Sequence, residues 1–101
     1  MTVIKVRYGR DAYRIVSSGH AGSSRACTAV SAIIQALAGW VRENRGHARL
    51  EKGKAVISFP KSEGAAAVMD LMLIGLLQIQ KAVPTDVHVE ITCSEQITDK
   101  A

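Results

Sequence analysis

The chain has 101 residues, 48% of them apolar and only 4% aromatic, which is enough for one domain around a Val, Ile, Leu and Ala core; no domain boundary, repeat or low-complexity segment divides it. Thirteen Lys and Arg against nine Asp and Glu leave a formal charge of +4, a balance that permits a polyanionic partner without requiring one. Two cysteines are too few for a disulfide-held secreted scaffold, the N-terminus has no signal-peptide pattern, and the apolar stretch Gly64 to Leu77 falls short of the roughly 20 residues of a membrane span, so reduced thiols and a cytoplasmic location are expected.

Thr2 to Tyr8 alternates Val3, Lys5 and Arg7 with Ile4, Val6 and Tyr8, and Gly9-Arg10-Asp11 reads as a turn. Ala12 to Ser18, with Tyr13, Ile15 and Val16, completes a hairpin whose second strand ends at Gly19-His20. Gly19 and Gly22 flank the histidine region, and Ser23 or Ser24 can cap a helix from Ala26 to about Glu43. With Ser24 as the cap, Cys27 takes the third helical position. Val30, Ile33, Ile34, Leu37, Trp40 and Val41 form that helix's apolar face, and Asn44 to Gly46 ends it.

His47 to Glu51 and Lys54 to Phe59 are two short strand candidates around Lys52-Gly53. A second helix from about Ser62 to Ala82 has Glu63 in its first turn and Lys81 in its last, as the helix dipole favours. Its apolar residues lie on nearly all sides, which predicts cover from its own sheet and from a second copy, with Met69 and Met72 at the interface. Pro84-Thr85-Asp86 leads to a last strand, Val87 to Thr92, with Cys93 at its end as a small core or edge residue; the polar tail from Ser94 is expected to fray. The predicted class is α+β: a two-layer sandwich in the order ββαββαβ, two helices on one mainly antiparallel sheet, over residues 1–101 as a single domain.

The chemistry concentrates at the junction of the second strand and the first helix. His20 at the end of one element and Cys27 in the first turn of the next bring a base and a nucleophile together by local geometry. A helix N-terminus and a neighbouring imidazolium both favour a thiolate, which points to cysteine protease chemistry. Backbone N–H groups around Ala26 to Thr28 are candidate oxyanion donors. The loop from Gly19 through Gly22 and Ser23 to Ser24 is placed to close over a substrate strand. Gly22-Ser23-Ser24 lacks the lysine of a phosphate-binding loop. His47 and His88 read as exposed strand residues, and no spacing of His and Cys reproduces a zinc site, so neither metal nor cofactor is expected.

The triplet Gly19-His20-Ala21 followed by Cys27-Thr28-Ala29-Val30-Ser31 resembles the Gly-His-Ala and Cys-Ala-Ala-Val-Ser signature of the ribosomal-processing cysteine proteases, the Prp family. The element order is similar from end to end. The resemblance implies that His20 is the general base and Cys27 the nucleophile. It also implies that Gly19 is a flexible backbone point and Ser31 a structural partner one helical turn after the cysteine. It further implies an endopeptidase that removes a short N-terminal extension from a ribosomal large-subunit protein or a related phage virion protein. Family members place a longer loop between histidine and cysteine, with an acidic residue just before the cysteine. Here six residues intervene and none is Asp or Glu.

Two other classes compete. A dimeric binding module of the same fold, associated with ribosomal or virion protein, would keep His20 and Cys27 as structural remnants. An RNA-binding domain would need a clustered basic face or exposed aromatics, and the chain offers only Tyr8, Tyr13, Trp40 and Phe59, so direct nucleic-acid binding is not expected. Arg42, Arg45, Arg49, Lys52 and Lys54 read as a solvated edge.

Overall fold

The computed structural model describes residues 1–20 and 23–94. Its elements follow the predicted order: β1 (Thr2–Gly9), β2 (Ala12–Ser18), α1 (Ser24–Glu43), β3 (His47–Glu51), β4 (Lys54–Pro60), α2 (Glu63–Ala82) and β5 (Val87–Ser94). The strands form one five-stranded sheet in the order β3-β4-β2-β1-β5. Three neighbouring pairs are antiparallel; β1 and β5 run parallel, because the chain crosses over through α2 before β5 pairs with β1.

Strand alternation sorts the sheet into two unlike faces. On one, the register sets Ile4 beside Val89, Val6 beside Ile15, Ile15 beside Ile57 and Tyr13 beside Phe59. Both helices pack there. Phe59, Ile4, Ile15, Leu37, Ile57, Met69 and Leu76 are fully buried in the resulting layer, each contributing roughly 1.5–3 kcal/mol on burial. Tyr8, Tyr13, Phe59 and Trp40 form a chain of tilted and edge-on ring contacts in this layer. The other face carries no helix.

Ser23 is the cap of α1: its Oγ accepts the Ala26 N–H at 3.1 Å, and the Cys27 N–H donates to the Ser23 carbonyl at 3.1 Å. Cys27 therefore sits one position further into the helix than a Ser24 cap would place it. Val30, Ile34, Leu37, Ala38 and Val41 are its buried face. Ser62 caps α2 in the same way, accepting the Ala65 N–H at 3.0 Å.

Helix α2 corrects one expectation. Met69 is wholly buried with Ala65 and Leu76 on the stripe that meets the sheet, and Met72 is partly buried, so neither is the exposed surplus. The side left in water is Leu71, 64% exposed, and Ile74, 57% exposed. The helix is long and apolar enough to cross a membrane by length and composition alone, but its buried stripe makes it part of the domain core. The Gln80 side-chain oxygen accepts the Val89 N–H at 2.6 Å and ties α2 to β5. At the other side of α2, Tyr8 has its phenol pKa raised, first by burial and then by the Asp70 carboxylate, to which it also hydrogen-bonds.

Strand β5 continues past Thr92 to Ser94 and is an edge of the sheet. Cys93 is exposed on it and takes the edge role, not the core one. The tail beyond Ser94 lies outside the described residues.

Candidate active site

The pairing of β2 with β4 sets Ser18 opposite Lys54, so the end of β2 lies beside the Lys52-Gly53 turn that joins β3 to β4. Gly19 continues that contact by donating its N–H to the Gly53 carbonyl at 2.9 Å. Gly19 has φ +88°, and a Cβ there would run into the Met1 carbonyl oxygen, so both conformation and space call for glycine. Gly53 has φ +76°, and a Cβ built on it would come 3.1 Å from Nε2 and 3.5 Å from Cε1 of His20. The imidazole thus lies against the tip of the hairpin, in a position that the bare glycine makes possible.

Cys27 approaches the same space from α1. His20 and Cys27 both line a cleft of about 270 Å³, together with Gly19, Gly53 and the apolar side chains of Val30, Ile34, Leu50 and Ala55. Cys27 is partly buried and its thiol is free of any disulfide. It also lines a shallower groove on the outer side of α1 with Thr28, Ser31 and Gln35, so it stands where two grooves meet. Ser31 is on the rim and accepts a hydrogen bond from Gln35 Nε2 at 3.2 Å.

The cap engages two of the expected oxyanion donors. The Ala26 and Cys27 amides are already committed to Ser23, and Thr28 lies within the helical ladder. The first turn of a helix leaves its leading N–H groups without intrahelical acceptors, which here are those of Ser24 and Arg25. Of the expected substrate loop, Gly19 and Ser23 are positioned as described; Gly22 and the Ser24 side chain lie outside the described residues. Among the described residues, no three His, Cys, Asp or Glu side chains come together as metal ligands. His47, His88 and Cys93 are exposed and outside the cleft.

Gly53, Leu50 and Ala55 are site residues that the sequence pattern did not single out. The Lys52-Gly53 turn was visible as a turn. Its placement beside His20 depends on the pairing of β2 with β4, strands separated by the whole of α1 and β3.

Residues 1–88 match the model of a peptidase family described as cysteine protease Prp. No curated protein sequence matches the chain. Among solved structures, the fold is similar to the essential ribosomal processing protease Prp of Staphylococcus aureus with a covalently linked product peptide: TM-score 0.77, 15% identity, 90% of this chain and 99% of that one covered. The same protease with a substrate peptide superimposes with TM-score 0.72 at 11% identity, over 90% and 99% of the two chains. A Streptococcus mutans protein superimposes with TM-score 0.77 at 14% identity, over 93% and 99%. At such identities these structures establish a shared fold.

Proposed function

Because the chain belongs to the cysteine protease Prp family, we propose that Cys27 is its nucleophile and His20 its general base, and that it removes a short N-terminal extension from a ribosomal large-subunit protein or a related phage virion protein. The observation that carries this reading is the convergence of His20 and Cys27 on one cleft from two independently anchored elements. An imidazole nitrogen of His20 takes the thiol proton, and the Cys27 sulfur attacks the scissile carbonyl carbon. The C–N bond breaks as the proton passes from His20 to the departing amine. Water, deprotonated by the same imidazole, then hydrolyses the thioester and regenerates the thiol. Helix-start amides of Ser24 and Arg25 are suited to the oxyanion, and the apolar wall of Val30, Ile34, Leu50 and Ala55 suits an apolar side chain next to the scissile bond.

The test is incubation of the protein with N-terminally extended ribosomal large-subunit proteins and capsid proteins, followed by mass spectrometry of the products. The wild type releases the extension, and Cys27→Ala and His20→Ala abolish release. Cleavage retained by Cys27→Ala, or no cleavage of any extended substrate by the wild type, overturns the reading; the second result favours the binding module.

The same proposal includes a homodimer in the cytoplasm, supported by the exposed Leu71 and Ile74 on α2 and by two cysteines that form no disulfide. Sedimentation at micromolar concentration is expected to give twice the 10.8 kDa chain mass. Leu71→Glu is expected to return it to the monomer. A wild-type monomer refutes the dimer.

A further inference from the structure

The floor of the cleft that His20 and Cys27 share is set by strand register. In the middle of the sheet, the face that meets the helices carries a row of large side chains, Val6, Ile15 and Ile57 on β1, β2 and β4. Two residues along each strand toward the cleft, β2 and β4 present only Ser17 and Ala55, with Leu50 beside Ala55 on β3. Gly19 and Gly53 then follow, joined by their hydrogen bond, and the Thr2 Cα lies 3.7 Å from the place of a Cβ on Gly19. Small residues therefore leave the space beneath Val30 and Ile34 of α1 that the cleft occupies.

Two residues of this floor are out of keeping with a core. Thr2 is 4% exposed and Ser17 8%; among the described residues they are the two buried polar side chains, and both line this cleft. Burying a hydroxyl is costly unless it is hydrogen-bonded, yet among the described residues neither hydroxyl makes a hydrogen bond. No buried side-chain oxygen among those residues is sealed off without a partner, so both hydroxyls open into the cleft. We infer that this floor selects, in the peptide that the cleft binds, an uncharged side chain with an apolar stem and a hydrogen-bonding end. The stem lies along Val30, Ile34, Leu50 and Ala55, and the end meets the two hydroxyls, each of which can donate or accept. A wholly apolar side chain fills the same space but leaves both hydroxyls without partners. A charged end has no countercharge to meet, because Glu51 and Lys54, which also line the cleft, are opposite in sign and paired in register. The inference rests on the reading of this cleft as the place of the side chain next to the scissile bond, and it adds the polar end to that side chain.

The test uses matched pairs of acetylated dipeptidyl vinyl sulfones, ending in Thr or Val, Gln or Met, and Tyr or Phe, which alkylate a cysteine when the last side chain is seated beside it. Labelling of Cys27 is followed by mass spectrometry, so no natural substrate is needed. In at least one pair the polar member is expected to label Cys27 about tenfold faster than its apolar match. Ser17→Ala and Thr2→Val are each expected to shrink that preference, and the double variant to bring the pair within about twofold. The apolar members are expected to label the variants as fast as the wild type, which shows that the fold and the thiol are intact. Equal or faster labelling by the apolar member in every pair, or a preference for the polar end that survives the double variant, overturns this inference and leaves the protease reading standing. If no probe labels Cys27 faster than exposed Cys93, both fall.

Discussion

Adding one methyl group at Gly53 is the sharpest test of how His20, the proposed base, is held. Gly53→Ala forces an L-residue into φ +76°, a conformation that costs about 1–2 kcal/mol and translates to a Tm loss of roughly 4–16 °C in a domain of this size. The new Cβ also stands 3.1 Å from His20 Nε2, so the imidazole must shift by a few tenths of an ångström. Displacement of a catalytic group by about 1 Å can lower the rate roughly 100-fold, and the smaller shift here is expected to lower kcat roughly tenfold with little change in KM. Gly53→Asn separates the two effects, because Asn tolerates the left-handed region yet carries the same Cβ. It should lose less Tm than Gly53→Ala and show a similar fall in kcat. Peptide-cleavage kinetics and thermal denaturation on both variants decide the matter. A Gly53→Ala protein with a lowered Tm and unchanged kcat would refute the argument that the hairpin tip positions the base.

Gly39 is the opposite case: it is inside α1 with nothing within 4 Å of an added Cβ, so we predict that Gly39→Ala stabilises by about 0.5–1 kcal/mol, read as a higher Tm with unchanged cleavage. Tyr8 has its pKa raised above the ordinary 10.0 by burial and by Asp70. Its protonated phenol therefore contributes stability fully below pH 10, and that contribution is lost as pH rises through the folded-state pKa. Denaturant midpoints of Tyr8→Phe should fall less steeply than wild type above pH 10. If His20 acts on the Cys27 sulfur, His20→Ala should slow alkylation of Cys27 by iodoacetamide and leave exposed Cys93 unchanged; equal rates at Cys27 in both proteins would separate the two groups.

The order of elements was legible because the sequences of β1 and β5 alternate in side-chain character, turn residues separate the other strands, and each helix has a serine cap. That His20 and Cys27 share a cleft was legible because the two residues flank one strand-to-helix junction and are close in sequence. Strand order was not: β2 pairs with β4 across α1 and β3, and no local pattern encodes a partner that distant. That single pairing brings Gly53, Leu50 and Ala55 to the cleft. Helix α2 was ambiguous for a different reason. Apolar residues on every side give periodicity no face to select, so Met69 could be assigned to the core only once the sheet was in place. The shared sheet face of Lys5, Arg14 and Arg49 has the same origin, since only strand register puts them on one side.

His20 and Cys27 are anchored separately, which frees the length of the connection between them. His20 is fixed from behind, through the Gly19 to Gly53 hydrogen bond, and Cys27 from its own helix cap at Ser23. Neither anchor involves the other. Insertions between them therefore leave both end points where they are and change only chain entropy, about 0.6 kcal/mol for a doubling of length. The span between His20 and Cys27 is thus open to evolutionary variation, a place where a lineage can add or remove residues while the two side chains keep their positions.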